Sequence, residues 1–169
     1  TGVTLNGGAG LTITTALAGS PNLTLSGIVT LGGAVGNITA NTGTLNLNAA
    51  LTAGTINNEG TINASGSTFN LTATGAITNT GAIDIGGNTL AADSITGVSG
   101  TVTTTSGIIE AEGTIYNLNV TTGVTLNGGS GLTVTTALAG SPNLTLSGTV
   151  TLGGAVGNIT ANPGTLILN

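Results

Sequence analysis

The sequence predicts an all-β chain wound as a parallel β-solenoid, with about 20 residues per coil and roughly eight coils. Three observations carry that expectation: a long tandem copy, apolar residues at alternate positions in short bursts, and turn-forming residues between the bursts. Residues Thr1 to Asn48 return as Thr122 to Asn169, offset by 121 residues, with 43 of 48 positions identical. A fold that closes after two filled sheets gains nothing from repeating a unit of that length. In a stacked coil, by contrast, every added turn buries the apolar face of its predecessor, so the solenoid is preferred to a β-sandwich.

The five differences between the copies act as internal mutagenesis. They are Ala9/Ser130, Ile13/Val134, Ile28/Thr149, Thr42/Pro163 and Asn46/Ile167. Position 13 alternates with Leu11 and stays apolar and β-branched, so it is expected to face a core. Ile28/Thr149 and Asn46/Ile167 change polarity and lie out of phase with pairs such as Leu45 and Leu47, so they are expected to face water. Ala9/Ser130 lies between glycines and Thr42/Pro163 directly precedes one, as suits turns.

In chain order, the bursts are Val3 and Leu5, Leu11 and Ile13, Leu23 and Leu25, Val29 and Leu31, and Leu45 and Leu47. No window has the three-and-four spacing of a helix. Gly7-Gly8, Ser20-Pro21-Asn22, Gly32-Gly33, Gly36-Asn37 and Gly43 separate the bursts as turns. Residues 49–121 keep the rhythm without copying the unit, through Phe69, Leu71 and Ala73 and later through Tyr116, Leu118 and Val120. The whole chain, 1–169, therefore reads as one continuous solenoid in which 1–48 and 122–169 are near-identical units. Dividing the 121-residue period at its turns gives six segments beginning near Val3, Leu23, Thr44, Thr61, Ala82 and Thr101. At the inter-strand spacing of ~4.8 Å, six coils advance roughly 29 Å. A narrow bore suits Val, Ile, Leu and Ala, with Phe69 and Tyr116 as local fillers. Asn at corners can stack on Asn in the next coil.

Composition excludes several functions. There are 31 Gly, 36 Thr and 19 Asn, with no Lys, Arg, His, Cys, Met or Trp. The net charge of −5 comes from Glu59, Asp84, Asp93, Glu110 and Glu112. Without a single cation there is no counterion release from a phosphate backbone and no attraction to anionic lipid, so nucleic acid is not an expected partner. Despite a mean hydropathy of +0.49, no run approaches the ~20 apolar residues of a spanning helix, so membrane insertion is not expected either. The chain begins and ends inside the repeat, which reads as a piece of a longer polypeptide with any export signal elsewhere.

Glu110 and Glu112 lie two apart on a strand, ~6.6 Å along the backbone, a spacing open to an inverting glycosidase pair. With no Arg, Lys or His to stabilise charge or shuttle protons, a solvated acidic face is the preferred reading and no catalytic residue is assigned. The calcium-binding form G-G-x-G-x-D needs an acid where GGAGLT and GGSGLT have Thr. Asp84 and Asp93, flanking Gly86-Gly87-Asn88, are too isolated for a cage, so neither a metal site nor a cofactor is expected. Rows such as Thr12 with Thr14 and Thr133 with Thr135 could match ice locally, although neighbouring coils carry Asn, Ser or Gly. Seven Asn-x-Ser/Thr sequons, at Asn22, Asn37, Asn63, Asn70, Asn119, Asn143 and Asn158, are close to what composition gives by chance.

Two pieces of the middle, GTINNEGTINASG from Gly54 and GAITNTGAIDIGG from Gly75, share the pattern G-x-I-x-N-x-G-x-I. In this motif, and in style over nearly all 169 residues, the chain resembles the repeats of filamentous haemagglutinin and related large exoproteins, including two-partner-secretion adhesins and autotransporter passengers. The resemblance implies a right-handed parallel β-helix exported through the bacterial outer membrane, forming the shaft of an extracellular, cell-surface or released fibre. It implies partners of two kinds: other copies, through end-to-end stacking or lateral contacts, and host or surface glycans or receptors met by regions outside this segment. The absence of basic residues departs from that family and leaves a self-assembling matrix or sheath filament open beside a cell-bound adhesin.

Overall fold

A computed structural model describes all residues except 1, 14–16, 18, 20–21, 67–68, 137, 139–141, 155–158, 162–163 and 169. Thr14, the turn at Ser20 and Pro21, Asn158 and Pro163 therefore lie outside the described residues. The chain is all-β, and its strands pair in parallel throughout, as stacked coils. It is a β-solenoid.

The pairings resolve into three faces. Face one runs upward from Gly2–Asn6 through Asn22–Ser26, Ile38–Asn41, Ile56–Asn58 and Ala76–Asn79 to the end of Thr89–Thr96. It continues through the end of Ile108–Ile115, Leu132–Val134 and Thr149–Leu152 to Thr165–Leu168. Face two stacks Leu11–Thr12, the starts of Ile28–Ala34 and Thr44–Ala53, then Thr61–Asn63, Ala82–Gly86, Thr101–Thr104 and Asn117–Val120. Face three takes the ends of Ile28–Ala34 and Thr44–Ala53, then Leu71–Ala73 and the starts of Thr89–Thr96 and Ile108–Ile115. Gly123–Asn127, Asn143–Ser147 and Ile159–Ala161 complete it.

Because side chains alternate across a strand, one residue in two enters the bore, and in-register pairing lines these up as rows. Leu23, Ile38, Ile56, Ile77 and Ile95 form one row, Leu45, Ile62, Ile83, Val102 and Leu118 a second, and Leu51, Leu71, Leu90, Ile109, Leu126 and Leu146 a third. All are fully buried. Each such side chain contributes about 1.5–3 kcal/mol of burial. Position 13 faces this core as expected, half-buried at Ile13 and fully buried at Val134, whereas Ile28 and Ile167 are exposed.

Coil length refines the expectation. Face one carries ten rungs from Val3 to Leu166, nine steps over 163 residues or about 18 residues per coil. The six-segment division needs correction for the same reason. Leu23 lies on face one and Thr44 on face two, with Ile38 on face one between them, so that segment winds a coil and a third. The segment from Thr101 does the same, passing Asn117 on face two before reaching face three at Gly123.

Glycine and asparagine build the corner between faces one and two. A Cβ on Gly43 would run into the carbonyl of Gly27, on Gly60 into that of Gly43, and on Gly81 into that of Gly60, so this column admits no side chain. Beside it Asn41, Asn58 and Asn79 are buried. Asn41 Nδ2 donates to Asn58 Oδ1 at 2.7 Å, and Asn58 Nδ2 to Asn79 Oδ1 at 2.8 Å. The same amides reach the backbone oxygens of Thr61, Ala82 and Thr101. The asparagine and central glycine of G-x-I-x-N-x-G-x-I are thus one corner, with the expected Asn-on-Asn stack placed inside it. Phe69 packs half-buried beside Gly66. Tyr116 is no filler: Ile115 takes the inward position and the ring stays outside.

Candidate functional site

Three surfaces could do chemistry or recognition: an acidic groove, the outward threonine rows and the open ends of the ladders. The groove, about 280 Å3, lies where face three turns into face one and is lined by Ala92, Asp93, Glu110, Ala111, Glu112, Asn127 and Gly129. The eight-residue strand Ile108–Ile115 carries both glutamates outward, as their spacing predicts. The structure adds Asp93, which sequence reasoning left isolated because its approach depends on coil register. Asp84 stays apart on face two, where its Oδ1 accepts the Gly86 N–H at 3.0 Å.

Glu112 is committed to structure. Its Oε1 accepts the backbone N–H of Ser130 at 3.0 Å, and hydrogen bonds from Ser130 hold its carboxyl below the usual carboxylate range. A general acid needs a carboxyl that keeps its proton near neutrality, the opposite displacement. Glu112 instead clasps the turn of the coil above. That turn closes through Gly131 N–H to Gly128 C=O at 2.8 Å, as Gly10 closes on Gly7 at 2.7 Å in the first copy. GGSGLT and GGAGLT are therefore turns. Among the described residues no group of three His, Cys, Asp or Glu is placed to hold a metal ion, and no helix is long and apolar enough to cross a membrane.

The outward rows are mixed. On face two the file reads Thr12, Thr30, Asn46, Asn63, Asp84, Thr103, Asn119. On face one Thr114, Thr133 and Thr151 stack in register before Ile167 breaks the file, and the file beside an earlier part of that face is Ala76, Ser94, Glu112. Two adjacent threonine files, which a lattice match needs, are not formed there. Several sequon asparagines serve as backbone caps. Asn22 Oδ1 accepts the Asn37 N–H, Asn37 Oδ1 the Thr55 N–H, Asn63 Oδ1 the Ser65 N–H and Asn70 Oδ1 the Thr89 N–H.

At the ends the ladders are open. Gly2–Asn6 pairs only upward and Thr165–Leu168 only downward among the described residues. The residues that point into the bore are uncovered there: Val3 is 40% exposed and Leu168 61%. No protein-family model matches the chain, and neither a curated protein nor a solved structure is significantly similar to it.

Proposed function

We propose that this chain is a non-enzymatic shaft segment of a long extracellular repeat fibre, a bacterial adhesin-like surface protein in which the solenoid supplies reach and stiffness while attachment is made by other regions. The observation that carries the reading is the tandem copy, whose two 48-residue units keep the same coil-to-coil pairings. Each coil covers the apolar bore of its neighbour, so the design extends by repetition without alteration. The commitment of Glu112 to a backbone turn, and the lack of any cationic side chain, support a structural role over polysaccharide cleavage. The mixed outer files support it over ice binding.

A self-assembling matrix or sheath filament is the second reading, favoured by outward apolar groups on the flanks: Ile28, Ile108, Tyr116 and above all Val98, 80% exposed. These suit lateral contact between shafts.

The test is the association state of the purified chain. Sedimentation velocity and electron microscopy are expected to show concentration-dependent end-to-end oligomers lengthening into thin filaments of solenoid width. Filaments that bundle side by side and fall apart on Val98→Ser favour the matrix role. A monodisperse monomer at all concentrations overturns the shaft reading.

A further inference from the structure

The two copies of the 48-residue unit fold alike, yet they stand on different faces. In the first copy Val3 pairs with Leu23, Leu23 with Ile38, Leu11 with Val29 and Val29 with Leu45. In the second, Val124 pairs with Leu144, Leu144 with Ile159, Leu132 with Val150 and Val150 with Leu166, each with the same sequence separation. Even the register shift after Leu23 recurs after Leu144. The first copy, however, begins on face one, whereas Gly123–Asn127 continues the ladder of Leu71, Leu90 and Ile109 on face three. What the first copy places on face two, Leu11 and Val29, the second places on face one, as Leu132 and Val150.

We infer that the 121-residue unit is a screw element of six and two-thirds turns, so that each successive unit of an array repeats the same structure rotated by a third of the circumference. The count follows from the ladders. Face one passes Val3, Leu23, Ile38, Ile56, Ile77, Ile95 and Gly113, six whole turns, and two further faces bring the chain through Leu118 to Leu126. Rotation is tolerated because all three faces make the same demand of a rung, an apolar residue inward and a small or polar one outward. The corners travel with the unit as well. Gly27 and Gly43 stack where face one turns into face two, and their counterparts Gly148 and Gly164 stack where face three turns into face one.

The consequence concerns what a long shaft displays. At ~4.8 Å per coil a unit advances about 32 Å, and three units, twenty turns, restore the starting face after about 96 Å. The groove of Asp93, Glu110 and Glu112, or an outward group such as Tyr116, then winds round the shaft and never forms a stripe along one side. A partner bound to such a feature meets it at three azimuths in succession. Two such features on one face stand three units apart.

This inference extends the shaft reading to an array but is tested on the single chain, whose register is independent of whether it polymerises. The absence of cysteine makes introduced pairs unambiguous. In-register outward positions on neighbouring parallel strands meet the Cα separation a disulfide needs. Three double variants share Thr125→Cys. Paired with Ile108→Cys it reads six and two-thirds turns, because Ile108 and Thr125 are register partners on face three. Paired with Thr96→Cys it reads six turns, and with Thr114→Cys seven. Thr4→Cys with Thr24→Cys, register partners inside the first copy, is the control for a folded chain. Under mild oxidation, mass spectrometry is expected to find intramolecular closure of the 108/125 pair at the level of the control, with the 96/125 and 114/125 pairs at least tenfold lower. Closure of either of those at the control level, or a reduced 108/125 pair beside a closed control, overturns the screw.

Discussion

Val3 and Val124 lie in identical strands, yet the first is 40% exposed and the second 4%; Leu47 and Leu168 are counterparts in segments that differ only at Asn46 against Ile167, and they are 6% and 61% exposed. The difference lies in the neighbour. The second copy rests on Ile108–Ile115, and the first is roofed by the coil containing Ile56–Asn58, Thr61–Asn63 and Leu71–Ala73, whereas the first copy's lower side and the second copy's upper side are open among the described residues. Halfway through each unit, where both neighbours are present, Leu23 and Leu144, or Val29 and Val150, are equally buried. A strand's burial is therefore supplied by the next coil more than by its own sequence, and stability should grow by nearest-neighbour increments along the axis.

Paired truncations sharpen that contrast most. Leu126→Ala empties a fully buried site between Ile109 and Leu146 and is expected to cost about 2–5 kcal/mol. Leu5→Ala removes the same side chain from the same strand at the open end, where it is only half-buried, and is expected to cost about 1 kcal/mol or less. Denaturant midpoints of the two variants measure the difference. Equal losses would mean that the end rung is as covered as the middle one, and the nearest-neighbour account would fail.

A smaller effect is expected in the polar column. Asn41 of the first copy is held to the coil above by Asn58, which in turn donates to Asn79. Asn58→Ala strands the Asn79 acceptor in a buried corner and leaves the Asn41 amide with its bond to the Thr61 carbonyl alone, at about 1–3 kcal/mol. The loss should appear as faster amide exchange localised to the coils of Ile38, Ile56 and Ile77, with the second copy unaffected. A uniform change along the chain would contradict a column that acts between adjacent coils only.

How far these features could be read beforehand differs from one to the next. Alternation at Leu23 and Leu25 or Leu45 and Leu47 is a strand signal that needs no tertiary information, and the tandem copy favours an extensible fold. Coil length was hidden because steps between stacked rungs vary from 15 residues, Leu23 to Ile38, to 21, Ile56 to Ile77. The G-x-I-x-N-x-G-x-I motif marks a corner, and a coil has three corners, so motif spacing alone does not count turns. Asn58 resembles any turn asparagine, and only the coil above places it inside. The acidic groove was half legible: Glu110 and Glu112 share a strand, but Asp93 and the Ser130 turn join them through register.

The smallest predicted effect contrasts the two glycine turns. In the second copy the Ser130 N–H donates to Glu112 from the coil beneath, whereas Ala9, its counterpart, lies six and two-thirds turns below Ser130 and far from that carboxylate. The folded carboxyl holds its charge to lower pH than the unfolded one, so its contribution is present above the unfolded value and fades as pH falls through the folded value. The Ser130 amide resonance should accordingly shift during acid titration with a midpoint below the ordinary carboxylate range, while the Ala9 amide stays still. Glu112→Gln should flatten the Ser130 response and leave the global denaturation midpoint nearly unchanged, because the carboxylate is exposed and screened by water. A Ser130 amide that ignores pH would detach Glu112 from the turn and leave it free for other work in the groove.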